Sequence, residues 1–149
     1  MMKKRKRTIL IILLMVIVLA VVVGSVLTYT YNHKLPSAAD DALTRYMEAF
    51  KNGTKDASQY AHFKNEEVRE TYEGAGTVLY DYRIEKITRI NDKLFALTVL
   101  VKTNRTDESY MRVYNFVGYI NDSWIFINGV GNIPEEICYN LNREAYMYR

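Results

Sequence analysis

The sequence predicts an α+β domain preceded by a single membrane-spanning helix. One apolar stretch without charge lies near the N-terminus, helical periodicity follows it, and apolar and polar residues begin to alternate after Gly76. The predicted domain consists of helices packed on a curved four-stranded antiparallel sheet, with a further helix at the C-terminus.

The apolar stretch predicts a transmembrane helix. No charged residue occurs from Thr8 to Asn32. The segment from Ile9 to Leu27 gives roughly 28 Å of helix at about 1.5 Å per residue, close to the thickness of a bilayer core. Backbone amides in lipid must be satisfied within the segment, so a helix is the expected form. Tyr29 and Tyr31 follow it, where interfacial aromatic rings would anchor the outer end.

Five consecutive cations before this stretch predict its orientation. By the positive-inside rule they keep the N-terminus in the cytoplasm and place the rest of the chain outside, as an integral single-pass membrane protein. A cleaved signal peptide, cut near Val23-Gly24-Ser25, is the alternative. A long apolar run without an A-x-A site favours an uncleaved anchor. The five cations are Lys3, Lys4, Arg5, Lys6 and Arg7.

The chain therefore divides into four predicted parts. These are a basic cytoplasmic tail (1–7), a transmembrane anchor (8–31), a linker (32–36) and an extracytoplasmic domain (37–149). Removing the five tail cations from 20 Lys and Arg leaves 15, against 17 Asp and Glu. Because a domain of that charge lacks the cationic surplus of a nucleic-acid binder, no DNA or RNA partner is expected. The single cysteine, Cys138, favours a bacterial cell membrane over a eukaryotic secretory origin.

Three helices are predicted at the start of the domain. The first opens at Ser37 with a capping-box-like start, carries an apolar stripe as far as Phe50, and is expected to end at Asn52-Gly53. A shorter helix is predicted from Asp56 to Phe63. The third runs from Glu66 to Glu73, with Asn65 as its cap.

Four strands joined by short turns follow, and a last helix is predicted after them. A phase change at Glu85-Lys86-Ile87 indicates a bulge in the first strand. Pro134, followed by two glutamates, predicts a C-terminal helix with apolar residues Ile137, Leu141, Ala145 and Tyr148. The strands are Val78–Ile90, Leu94–Thr103, Tyr110–Ile120 and Trp124–Val130.

The helix Ala38–Phe50 and the ending Asp122–Ile127, a tryptophan strand after a polar turn, carry a family resemblance. Between Ser37 and Val130 the chain resembles the nuclear-transport-factor-two-like superfamily, or cystatin-like cone, and in particular its small anchored members on bacterial envelopes. The resemblance implies a long helix across a strongly bent sheet, with a pocket between them. This superfold hosts isomerases, dehydratases, transport adaptors and secretion scaffolds, so it assigns no activity by itself.

Tyrosine, with 13 residues, is the unusual feature of the composition. Strand tyrosines commonly serve sheet packing, and they are also enriched at binding hot spots. If the cone forms, five aromatic residues are predicted to line its mouth. They are Tyr46, Phe50, Tyr82, Tyr114 and Trp124.

No catalytic residue, metal site or cofactor is predicted. Asp81 lies between two tyrosines, but alternation places it on the opposite face of the strand. His33 and His62 have no partner at metal-ligand spacing. Cys138 is interpreted as a half-buried, inert thiol.

Three functional hypotheses remain open. The first is a non-enzymatic binding or assembly module, such as a scaffold in an envelope, secretion or conjugation complex, that binds an envelope protein or itself. The second is a pocket protein for a small ligand. The third, by fold analogy alone, is an isomerase- or dehydratase-like enzyme.

Overall fold

The computed structural model describes residues 2–107 and 109–147, and the side chains of residue 9 and of 11–107 and 109–147. It divides into two units, Met1–Asn32 and His33–Arg149. The side chains of Lys3–Arg7, on which the predicted orientation depends, lie outside the described residues, as does Tyr148.

The N-terminal unit is built on one helix, α1 (Met2–His33). Its described apolar side chains face solvent, and Ile9 and Leu27 are each 65% exposed. Ser25 and Thr28 donate hydroxyl hydrogen bonds of 2.8 Å to the carbonyl four residues earlier, so these polar groups are satisfied within the helix. By length and composition, α1 is able to cross a membrane.

The second unit begins with α2 (Ser37–Phe50), α3 (Thr54–Ala57), a 3₁₀ turn (Ser58–Tyr60) and α4 (Glu66–Gly74). The predicted start of α2 at Ser37 and the predicted Asn65 cap are confirmed, and α2 ends just before the predicted stop at Asn52-Gly53. The Asn65 side chain accepts a hydrogen bond of 3.0 Å from the amide of Val68. The predicted capping box is wrong, because Pro36 is the N-cap residue and makes no side-chain cap.

The predicted helix Asp56–Phe63 is also wrong. Its second half leaves helical geometry at Ala61, whose φ of −124° is extended. Ala61 and His62 form β1, which pairs in parallel with the last strand of the sheet. Backbone hydrogen bonds to that strand therefore replace those of a continuing helix. A two-residue strand is too short to produce alternation in the sequence.

The sheet has five strands in the order β1-β5-β4-β3-β2. All pairs except β1–β5 are antiparallel, so the sheet is mixed, and the four predicted strands form its meander. The turn between the last two strands has positive φ at Asn121 (49°) and Asp122 (61°), a conformation suited to a tight hairpin. The strands after β1 are β2 (Leu79–Asn91), β3 (Leu94–Thr103), β4 (Met111–Ile120) and β5 (Ser123–Ile127).

Strand β2 forms one edge of the sheet and is interrupted three times. Its register against β3 shifts between Leu79 and Asp81, between Ile84 and Lys86, and between Arg89 and Asn91. The middle shift confirms the predicted bulge. Bulges on an edge strand disfavour the addition of a further strand from another chain.

Two hydrophobic clusters lie on opposite faces of the sheet. The inner face packs against α2, through residues such as Phe95, Leu97 and Val99. The outer face carries a smaller cluster that includes Leu94 and Phe116. Alternation along β3 thus places apolar residues on both faces, as expected for a strand covered on both sides.

The predicted C-terminal helix is wrong. Residues 129–147, here called the C-terminal strap, form three 3₁₀ turns (Val130–Asn132, Glu135–Ile137 and Arg143–Tyr146). The amide group of the buried Asn91 donates to the carbonyls of Ile137 (3.0 Å) and Tyr139 (2.8 Å). These bonds hold the strap against the sheet, and Asn140 has a positive φ of 63°, which a continuing α-helix does not adopt.

Candidate binding surface on the outer face of the sheet

The space between α2 and the inner face is filled by buried side chains. Tyr46 stacks on Phe126 with ring centroids 3.6 Å apart and an interplanar angle of 12°. Its hydroxyl lies 2.6 Å from that of Tyr72. Burial raises the pKa of Tyr72 to about 12 and raises that of Tyr46 as well. The two phenols are therefore neutral at physiological pH and satisfy each other, an arrangement that supports packing rather than acid–base chemistry.

The five predicted mouth residues are not brought together. Tyr46 is fully buried, and Phe50 packs beside it with ring centroids 5.7 Å apart. Tyr82 and Trp124 pack against the same inner cluster, Trp124 at 5.7 Å from Phe95. Tyr114 instead lines a groove on the outer face, where its ring lies 5.9 Å from that of Tyr146 in the C-terminal strap.

The outer face is only partly covered. The strap packs over one half through Ile133 and Ile137, which belong to the outer cluster. Gly118 permits this contact, because a Cβ there would lie 2.7 Å from the Cδ1 of Ile127 and 2.8 Å from that of Ile137. The other half is here called the open half. It consists of Asp81, Arg83, Glu85, Lys86, Thr98, Leu100, Lys102, Tyr110, Arg112 and Tyr114.

The strand register brings these residues together. Directly paired residues of antiparallel strands project from the same face. Asp81 is paired with Lys102, and Lys86 with Thr98, across β2 and β3. The middle bulge shifts the alternation of β2 by one residue. Arg83 before it and Lys86 after it therefore both face outward.

Tyr110 and its neighbours form the first polar contact group. The Tyr110 hydroxyl donates to the carboxylate of Asp81, and the guanidinium carbon of Arg83 lies 4.8 Å from the centre of the Tyr110 ring. This hydrogen bond lowers the pKa of Asp81 and raises that of Tyr110. At neutral pH the pair is a fixed carboxylate and a neutral phenol, next to a cation stacked on the ring.

Glu85 and Arg112 form the second contact group. The guanidinium donates through Nε and Nη2 to the two carboxylate oxygens, each at 2.8 Å. This two-point bond lowers the pKa of Glu85. Both side chains are exposed, and the pair lines an open groove with Lys86, Thr98 and Tyr146. Fork-like pairs of this kind hold the guanidinium in one orientation at an exposed surface.

The open half carries an excess of positive charge. It contains four cations and two carboxylates, a formal charge of +2. Within the described residues, Arg83, Lys86 and Lys102 take part in none of the salt bridges. The strap reaches this half only at its edge, where Tyr146 packs beside Tyr114. Charged and tyrosine side chains that a rigid sheet leaves largely uncovered are typical of a surface that contacts another macromolecule.

The remaining residues considered from the sequence lie elsewhere. The imidazole Nδ1 of His33 is 3.0 Å from the carbonyl oxygen of Ile87. His62 lies at the β1 edge, and its pKa is lowered by partial burial. The Cys138 sulfur, half-buried, accepts a hydrogen bond of 3.2 Å from Arg143. Among the described residues, no group of His, Cys, Asp and Glu is arranged to hold a metal ion.

The contact groups on the open half were not predicted from the sequence. The predicted position of Asp81, on the face away from Tyr82, is confirmed by the register. Alternation within one strand does not identify Tyr110 as the partner of that carboxylate, because the partner lies two strands away. Pairing the predicted β2, β3 and β4 in register would have brought Asp81 near Tyr110 and Glu85 near Arg112.

No protein-family model matches the chain, and no curated protein matches its sequence significantly.

Proposed function

We propose that this protein is a membrane-tethered, extracytoplasmic binding or assembly module without enzymatic activity, and that the open half is its contact surface. The single observation that carries this proposal is the contrast between the two faces of one sheet. The inner face is filled by buried residues such as Tyr46 and Phe126, whereas the open half exposes ordered charged and aromatic groups.

The proposed membrane location and orientation rest on α1 and the residues before it. The helix is apolar along the length needed to cross a bilayer. The five cations at positions 3–7 favour a cytoplasmic N-terminus and an extracytoplasmic domain, in the membrane of a bacterial cell. An uncleaved α1 would keep the domain at the membrane surface, as expected of an envelope scaffold.

Kinship with the cystatin-like cone is part of the same proposal. A 14-residue helix, α2, packs on the antiparallel strands β4 and β5, and a helix lying across the sheet is what the resemblance implies. The implied pocket has no counterpart in the packed space around Tyr46. This difference favours a scaffold over the ligand-binding and isomerase-like alternatives.

The proposed orientation in the membrane is tested by thiol labelling in intact cells. Ser109 is exposed in the turn between β3 and β4, so Ser109→Cys in a Cys138→Ser background offers one reactive thiol on the domain. A membrane-impermeant maleimide should label it without lysis, whereas Lys4→Cys in the same background should need lysis. Labelling of Lys4→Cys alone in intact cells would overturn the orientation.

Binding is tested by chemical crosslinking of the anchored chain in living cells, followed by mass spectrometry. A reproducible homomer or envelope partner is expected. If the intact chain is recovered without any adduct at native abundance, the assembly function is wrong. The matched control lacks residues 8–31, so that it stays in the cytoplasm, and should lose the adduct.

A further inference from the structure

Helix α4 carries the opposite charge to the open half and lies on the other side of the sheet. It contains four glutamates and one arginine, a formal charge of −3. It has no fully buried residue, and its Tyr72 packs against the inner cluster. One domain therefore presents an acidic helix on its inner side and a cationic sheet surface on its outer side.

The glutamates of α4 differ in their hydrogen bonds and ion pairs. Glu73 accepts from Ser58 (2.5 Å) and from Arg69 (3.0 Å). Glu67 and Glu70 are exposed and belong to none of the ion pairs in the described part of the chain. Since they lie three residues apart on a helix, they project from neighbouring positions on one side.

The open half is the complementary surface. Its cations outside salt bridges, Arg83, Lys86 and Lys102, lie on adjacent strands, and the tyrosines beside them supply apolar contact area. Matching potentials steer two such surfaces together and fix their relative orientation. The three bulges of β2 disfavour association through the sheet edge, so the face of the sheet is the better contact.

We propose that the open half of one copy docks on α4 of a second copy. Because the two surfaces differ and lie on opposite sides of the domain, the contact is head-to-tail and each copy keeps one surface for the next neighbour. This inference rests on the proposed binding function and names its partner. Tethering to one membrane raises the local concentration of copies and strengthens such an exposed, charged contact.

The first test is the oligomeric state of the full chain in mild detergent, by light scattering over a concentration series. Self-association is expected, and it should weaken roughly tenfold between about 50 mM and about 500 mM salt, because exposed charges are screened. A chain that stays monomeric throughout, or one whose association is indifferent to salt, would overturn the inference.

Charge reversal identifies the two surfaces. Arg83→Glu/Lys86→Glu on the sheet and Glu67→Lys/Glu70→Lys on α4 should each weaken association roughly tenfold. Combining all four changes in one chain should restore it. Failure of the combined variant to recover, with its thermal melt unchanged, would overturn the pairing. Lys93→Glu, in the exposed turn between β2 and β3, is the matched control and should associate like the wild type.

A variant that neutralises charge is the substitute if the charge reversal on the sheet unfolds the domain. If Arg83→Glu/Lys86→Glu unfolds, Lys86→Gln/Lys102→Gln removes two cations without adding negative charge, and it should still weaken association. Undiminished association would overturn the inference. Crosslinking of the anchored wild type to a different envelope protein, without any homomer, would also overturn it while leaving the proposed binding function standing.

Discussion

The two faces of the same sheet differ in what covers them. On the inner face α2 completes a closed cluster, in which Phe95, Val99 and Phe126 have no solvent exposure. On the outer face the C-terminal strap covers only the half around Phe116, and charged side chains occupy the rest. Alternate residues of strand β3 contribute side chains to the two faces.

Stability and recognition depend on different parts of this domain. Burial of apolar area supplies most of the folding free energy, so the inner face and the strap-covered half stabilise the fold. Exposed ion pairs contribute little, so breaking one on the open half should cost the domain little stability. Mutations on the two faces should separate folding from binding.

The largest effect is expected at the inner face. Phe126→Ala removes a fully buried ring that stacks on Tyr46, and it should lower the free energy of unfolding by about 3–5 kcal/mol. Urea denaturation of the domain measures this loss. Met111→Ala, at a side chain that is 51% exposed, is the control and should change the stability by less than about 1 kcal/mol. Equal losses would remove the distinction between core and surface.

The second effect concerns the strap. Asn91→Ala leaves the carbonyls of Ile137 and Tyr139 without their donor, which should cost about 1–3 kcal/mol. Amide hydrogen exchange should accelerate in residues 133–141 more than in β3. Uniform acceleration across both segments would mean that the strap does not open separately from the sheet.

A third, smaller effect is expected from Tyr72→Phe. At neutral pH, loss of its hydroxyl leaves that of Tyr46 unpaired and should cost about 1 kcal/mol. The pKa of Tyr72 is raised from 10.0 to about 12, so the folded state holds this proton more tightly than the unfolded state. The corresponding stability is present below pH 10 and is lost as the pH rises toward 12. Denaturation at several alkaline pH values should therefore show a shallower decline for the variant, and parallel curves would contradict this.

The smallest effect on folding is expected on the open half. Glu85→Gln breaks an exposed ion pair with Arg112 and should change stability by about 0–1 kcal/mol. The same substitution frees the guanidinium, so it should alter crosslinking to the partner more than it alters the melting temperature. A large drop in melting temperature with unchanged crosslinking would assign this pair to folding.

Much of the architecture was predictable because strong periodicity marks it. Apolar spacing and turn residues predict the start of α2 and both bounds of β3, and one capping residue predicts the start of α4. The two-residue β1 and the strap were not, since both depend on distant partners, namely β5 and Asn91. The prediction of a shared aromatic mouth failed for the same reason. Tyr114 was assigned to the wrong face because alternation gives relative faces within a strand and only register relates neighbouring strands.

Photo-crosslinking from the two sides of the domain in living cells shows which side contacts a partner. A photo-crosslinking amino acid is placed at Thr98, within the open half, or at Thr44, an exposed position on α2. If the open half is the contact surface, Thr98 should give a discrete adduct and Thr44 should give none. Adducts of equal yield from both positions, or none from Thr98, would contradict it.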